Sequence, residues 1–246
     1  YKAQREATPE DIRASVPIIK DIITAMHIPV LQADGFEADD VIGTLATKAG
    51  EAGVQTYMLT PDKDYGQLVR DNVFIFRPRH GGGYETMGPK EVCEKYELHS
   101  PTQVIDLLAL MGDSADNFPG CPGVGPKTAT KLIAEFGSID SILENSAKIK
   151  GKLREKVEGA VDDIRMSKFL ATIRTDVPID LDLDALKLQE PDTARLSEIF
   201  TELEFKSLLD KFVKKPQQPQ KTVNLQLDVF AENPTEDAVG SEFSSY

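Results

Sequence analysis

Cysteine is nearly missing from this 246-residue sequence: Cys93 and Cys121 stand alone, in neither a metal-type nor a redox-type pair. That spacing offers no disulfide framework and fits a reducing, cytoplasmic setting. Histidine is as scarce, and His27, His80 and His99 are scattered, so no cysteine–histidine cluster points to zinc. No apolar run reaches the ~20 residues that span a bilayer. The opening Tyr1-Lys2-Ala3-Gln4-Arg5 is not followed by the apolar stretch of a secretory signal. The spacing of a P-loop is absent. Positive charge is also short: 28 Lys and Arg face 41 Asp and Glu, a net −13.

An acidic balance argues against a nucleic-acid partner unless the acid is localised. Here it is. The tail from Pro216 holds Asp228, Glu232, Glu236, Asp237 and Glu242 against Lys221. Seven more carboxylates fall in three short clusters, and without tail and clusters the chain is nearly neutral. Composition, 40% hydrophobic, suffices for one large or two small cores.

Along the chain, Thr8-Pro9-Glu10-Asp11 is a helix start, followed by Ile12, Val16, Ile19, Ile22, Ile23 and Met26 at helical spacing until Pro29. A short strand is expected at 30–33, then a helix with Val41, Ile42, Leu45, Ala46 and Ala49 on one face. Strands follow at 54–60 and 73–77, with Gly81-Gly82-Gly83 turning into a third near 84–87. Alternating strands and helices predict an α/β layer with a mainly parallel sheet. From Pro89 to Phe212 the pattern is helical, and after Lys215 it is that of an acidic linker. The expected organisation is 1–88, 89–213 and a linker over 214–246.

The clusters carry the chemistry. Glu37, Asp39 and Asp40 open the second helix, where any carboxylate is also favoured by the free N–H groups. Asp62 and Asp64 follow a strand, and an extended D-K-D places both on one side. Asp113 and Asp116 are three apart and share a face if a helix starts there. Each has an ordinary explanation as a cap or a solvated turn. Together they supply the hard oxygen ligands that Mg²⁺ or Mn²⁺ prefers, enough for a two-ion phosphodiester site. Beyond them, Gly123-Val124-Gly125-Pro126-Lys127-Thr128 enters an apolar helix that also bears Lys131. Such a turn suits either a tight helical hairpin or a grip on a nucleic-acid strand. The basic run Lys148, Lys150, Lys152, Arg154 and Lys156 extends that track or is simply a solvated face.

Y-K-A-Q-R at 1–5, E-A-D-D-V-I-G-T-L-A at 37–46, D-K-D at 62–64, L-A-L-M-G-D-S-A-D-N at 108–117 and G-V-G-P-K-T-A at 123–129 occur in the order of one family. The chain resembles, up to about Phe212, the 5′-to-3′ exonuclease (flap endonuclease) domain of bacterial DNA polymerase I. The resemblance implies a PIN-like α/β core, a helical arch and a helix-3-turn-helix DNA-binding module. It implies that Glu37, Asp39, Asp40, Asp62, Asp64, Asp113 and Asp116 bind two divalent ions. Lys2 and Arg5 match basic residues at the arch base that steer the scissile phosphate. Gly123, Val124, Gly125, Lys127 and Thr128 match the duplex grip, which in the family also holds K⁺, and Lys131 adds charge beside it. Substrates would be 5′ flaps, nicked duplexes and RNA-primed strands, cut by a monomer.

Two departures stand out. Pro61 replaces the usual glycine before D-K-D. The family also carries a leading segment with two further ligand aspartates before Y-K-A-Q-R. The expectation is therefore a fragment whose own activity is weak or absent. A non-catalytic duplex-binding fragment and a PIN-like RNA nuclease are the competing readings.

Overall fold

The computed structural model describes residues 2–4, 6–79 and 81–214. Arg5, His80 and the expected linker from 215 onward lie outside them. By internal contacts the chain divides into a unit of 1–24 with 28–189 and a unit of 25–27 with 190–246.

In the larger unit, α1 (Glu10–Ala25, whose last residue belongs to the other unit) starts as the T-P-E-D pattern predicts. Its Ile12, Val16 and Ile19 are exposed. The strand expected at 30–33 does not form. Pro29 removes an N–H just before it, and among the described residues no ladder partner takes up its backbone. α2 (Ala38–Glu51) then begins at Glu37, whose N–H donates to Asp40 Oδ2 at 3.2 Å. Its apolar face buries Val41, Ala46 and Ala49.

β1 (Thr56–Leu59) pairs in parallel with β2 (Val73–Pro78), Thr56 opposite Val73. β3 (Tyr84–Met87) returns antiparallel to β2, Ile75 opposite Met87. Met58, Val73, Ile75 and Met87 point inward at 5% exposure or less, the period of two that a half-buried sheet requires. The β2–β3 turn uses the three glycines, all at positive φ.

The helical part follows. α3 (Pro89–Tyr96) has proline at its first position, and Glu91 reaches back to the Gly88 N–H at 2.8 Å. α4 (Val104–Met111) is apolar on nearly every side, and α5 (Pro126–Phe136) buries Ala129, Leu132 and Ile133. α6 (Ile139–Glu144), α7 (Lys152–Gly159) and α8 (Val161–Ala171) complete the layer. The core runs continuously from Ala46 to Ile173. Leu108, Leu110, Ile133, Ile139, Ile142 and Ile164 are essentially inaccessible, each contributing about 1.5–3 kcal/mol by burial.

The segment after α8 closes the unit onto its acidic end. Gln67 donates to the Ala171 carbonyl and accepts from the Ile173 N–H, both at 2.9 Å. Asp40 Oδ1 accepts from the Arg174 N–H at 3.0 Å, and Thr44 Oγ1 from the Val177 N–H at 3.2 Å. The smaller unit holds α9 (Thr193–Glu202) and α10 (Lys206–Leu209). Among the described residues, Leu196, Ile199 and Phe200 are its buried side chains, with Ala25. Among the described residues no helix is long and apolar enough to cross a membrane.

Candidate active site

The three acidic clusters, up to 79 positions apart in sequence, meet around one open cavity of about 690 Å³. Glu37 and Asp39 reach it from the start of α2, Asp62 and Asp64 from beyond β1, and Asp113 and Asp116 from the loop after α4. Asp40 stands outside the lining, with both carboxylate oxygens holding backbone N–H groups, of Glu37 and Arg174.

Two local expectations need correction. The D-K-D segment is not extended: Asp62 caps a 3₁₀ turn, Lys63–Leu68, by accepting the Asp64 N–H at 3.0 Å. Pro61 fits this geometry, because the turn does not need the N–H it lacks. Nor does a helix start at Asp113. α4 ends at Gly112 (φ +71°), and residues 113–118 form a tight loop closed by two 3.0 Å bonds between Asp113 and Phe118. Asp113 Oδ1 accepts the Ala115 N–H at 2.7 Å inside it. Both carboxylates still face the cavity, because the loop rather than a helix turn brings them there.

Two lysines sit among the acids. Lys2 Nζ lies 2.5 Å from Glu37 Oε2, and its backbone N–H donates to the Asp116 carbonyl. Lys63 Nζ lies 2.6 Å from Asp113 Oδ2. Burial opposes the Lys63 charge, but Asp113 first, then Asp64 and Asp62, hold its pKa above the usual lysine value. Burial likewise works against Asp113, and Lys63 with the Ala115 and Asp116 amides keeps it below the ordinary carboxylate range. Sequence reasoning quoted Lys63 within D-K-D and gave it no role; a cation between two motif acids was the available signal. It also missed Tyr65, whose hydroxyl donates to Asp39 Oδ1 at 2.8 Å. Burial and that hydrogen bond raise the phenol's pKa, so it stays a donor.

Asp64 is the discordant group. Its Oδ1 is buried and finds no hydrogen-bond partner among the described residues. Burial first, then repulsion from Asp62, partly offset by Lys63, with Asp113 and Asp116 adding, push its pKa to about 7. A buried carboxylate oxygen normally has a partner. A hard divalent cation fits an oxygen so placed among further carboxylates, because it reverses the repulsion and takes oxygen ligands. Among the described residues no three acidic, imidazole or thiol groups converge as a preformed cage. Glu37 and Asp113 are turned to their lysines instead.

The glycine turn lies apart from this lining. Gly125 caps α5, Pro126 occupies its first position, and the Thr128 and Ala129 N–H groups bond back to the Gly125 carbonyl. Val124 is buried, while Lys127 and Lys131 are exposed. The turn is therefore both a packed helical hairpin and an accessible basic edge.

Known proteins match this arrangement. Residues 1–97 match the model of the 5′-3′ exonuclease N-terminal resolvase-like domain, and 99–194 that of the 5′-3′ exonuclease C-terminal SAM fold. Thermostable DNA polymerase I of Thermus aquaticus is 42% identical over 212 residues, 86% of the chain and 25% of that protein. DNA polymerase I of Bacillus subtilis is 41% identical over 213 residues, 86% of the chain and 24% of that protein. The chain thus spans about a quarter of the length of these curated relatives. Among solved structures, bacteriophage T5 D15 protein co-crystallised with metal ions superposes with a TM-score of 0.60 at 20% identity, covering 85% of the chain and 76% of its own. The catalytic core of Rad2 in complex with DNA substrate gives 0.56 at 17% identity, covering 85% and 72%.

Proposed function

The chain belongs to the 5′-3′ exonuclease family, and from that premise we propose that it is the divalent-metal-dependent 5′ nuclease part of a DNA polymerase I. It hydrolyses phosphodiesters at 5′ flaps and nicks, as primer removal and repair require. The single observation that carries this reading is the buried Asp64 Oδ1, without a hydrogen-bond partner among the described residues, set among converged carboxylates that raise its pKa.

In this reading Asp62, Asp64, Asp113 and Asp116 hold one divalent ion, and Glu37 and Asp39 contribute to a second. Bound Mg²⁺ or Mn²⁺ supplies a lowered pKa for attacking water and charge stabilisation at the leaving oxygen. The remaining work belongs to the chain's own residues. Lys2, at the cavity rim, takes the scissile phosphate, and Arg5 is assigned to the same task from its motif. Lys63 holds Asp113 in its charged form until the site fills. Tyr65 orients Asp39, and Asp40 fixes the α2 start against Arg174. Gly123, Val124, Gly125, Lys127, Thr128 and Lys131 form the grip that positions duplex DNA without reading sequence, and K⁺ is assigned to that turn. Residues 1–88 carry the nuclease core and 89–213 the DNA-binding helices. Support for metal and DNA also comes from the T5 D15 protein crystallised with metal ions and the Rad2 core with DNA substrate.

The test is cleavage of an end-labelled 5′-flap DNA by the full chain in Mg²⁺ and in Mn²⁺, with Asp113→Asn alongside. Cutting near the flap junction that falls at least about 100-fold in the variant is expected, the scale of losing an electrostatic contributor. Duplex binding without any cutting, by a folded chain, would replace this reading with that of a non-catalytic DNA-binding part. The lysine-paired state of Glu37 and Asp113 is the observation that keeps this second reading in view.

A further inference from the structure

The basic run from Lys148 to Lys156 is the sequence feature that the carboxylate site leaves unused, and the structure separates its members. Arg154 Nε lies 2.7 Å from Glu158 Oε1, which neutralises it. Lys156 goes elsewhere. Its neighbour Val157 is fully buried and fixes α7 against the core. Lys156 itself extends over the glycine turn: a Cβ built on Gly123 would lie 2.6 Å from the Lys156 Nζ and 3.7 Å from its Cε. Glycine at 123 meets the φ of +72° that the turn needs, and the Lys156 ammonium occupies the space beside it. Cys121, buried within the same turn, also feels the Lys156 charge.

Lys156 is exposed and makes no ion pair or hydrogen bond among the described residues. Lysine is a flexible, strongly hydrated cation, and holding it over backbone without a carboxylate partner brings the protein no internal gain. On the side of the glycine turn the charges are alike in sign, while on α7 Glu155 flanks Lys156 and Glu158 pairs with Arg154. In a chain of net −13, no carboxylate occurs between Asp116 and Glu135, while Lys127 and Lys131 rise from α5. An exposed cation over the turn, a helix start without acid and an acid-free stretch together describe a surface for an anionic strand.

We propose that Lys156 is a phosphate-binding residue of the glycine turn, carried in by α7. Its ammonium takes a backbone phosphate of duplex DNA next to the one at the α5 start. This rests on the reading of the turn as a DNA grip, and it singles out, from the basic run that the sequence offered as a whole, the one member that the structure sets over Gly123.

The test is binding of a fluorescent nicked-duplex oligonucleotide to the full chain in Ca²⁺, read by anisotropy across a salt series. Lys156→Met keeps the apolar stem and removes the charge. It should weaken binding about three- to tenfold at moderate salt and lower the slope of log affinity against log salt by about one. Lys156→Arg should restore both, which a purely structural role would not produce. An unchanged slope in Lys156→Met, with Lys127→Met still weakening binding, overturns the Lys156 assignment and leaves the grip intact. Unchanged binding in Lys127→Met, Lys131→Met and Lys156→Met alike overturns the grip itself and the proposal with it. A matching thermal melt of each variant excludes misfolding as the cause.

Discussion

Single side chains in this molecule are held in states that make sense only in company. Asp64 has an ordinary side chain and an expensive position: ionised, it faces Asp62, Asp113 and Asp116 with one oxygen unpartnered. Its pKa in the folded chain lies above the ordinary carboxylate value, so folding favours its protonated form and the penalty is complete above about pH 7. Asp64→Asn in EDTA at alkaline pH should therefore melt a few degrees higher than the parent, because the repulsion is gone. The same variant should lose the stabilisation that Mn²⁺ gives the parent, about 2.7 kcal/mol at a hundredfold excess over Kd. Differential scanning fluorimetry with and without Mn²⁺ reads both. A lower melting temperature in EDTA would show that Asp64 is structural rather than a ligand. Composition revealed that carboxylates of this kind were present, whereas the orphaned oxygen arises from packing and has no sequence signature.

At the scale of elements, the site depends on how three short connections end their strands and helices. Asp113 and Asp116 are presented by a loop pinched between two glycines. A Cβ at Gly120 (φ +62°) would stand 2.2 Å from the Gly112 N, and one at Gly112 would stand 2.6 Å from the Pro119 carbonyl oxygen. The Gly120 N–H also donates to the buried Ser167 hydroxyl on α8 at 2.9 Å. Gly120→Ala combines a disfavoured φ with a backbone collision and should cost about 2–5 kcal/mol. Urea unfolding would show this as a lower midpoint at unchanged slope, whereas a midpoint within error of the parent would mean that the loop relaxes freely. The glycines were visible in sequence as turn residues. Their mutual contact was not, since it joins a helix end to a residue eight positions on through space.

Across the larger unit, the buried Asp106 ties α4 to its neighbours. Its Oδ1 accepts the Ile139 N–H at the start of α6 at 3.2 Å and lies 3.7 Å from Lys168 Nζ on α8. Burial first, with the Asp140 charge adding, raises its pKa against the lowering by the Ile139 amide and Lys168. The folded state then binds the extra proton just above the unfolded carboxylate pKa, so stability falls as pH rises from about pH 4 and levels off beyond the raised value. Asp106→Asn keeps the oxygen acceptor and removes the titration. Its unfolding free energy should vary less with pH across the acid range, measured by urea titration at each pH. An undiminished pH dependence would place the effect in other carboxylates.

Much about this protein was settled by sequence alone. Three of the β-strand patterns, the helix start near 8–11, the helical run from Pro89, the glycine turn into α5 and the three acidic clusters follow from periodicity, proline and glycine placement and charge, which are local properties of the chain. The ordered motifs carried the family. Tertiary structure decided what local rules do not reach. It left residues 30–33 without a strand, since among the described residues no strand pairs with them. It made D-K-D a 3₁₀ turn and 113–118 a closed loop. It sent Asp40 to the backbone and Lys63 to Asp113. It also lifted Lys156 out of a basic run and set it over Gly123. The physical reason is common to all of these: a side chain's partner and charge state depend on neighbours distant in sequence, and only packing brings those neighbours within reach.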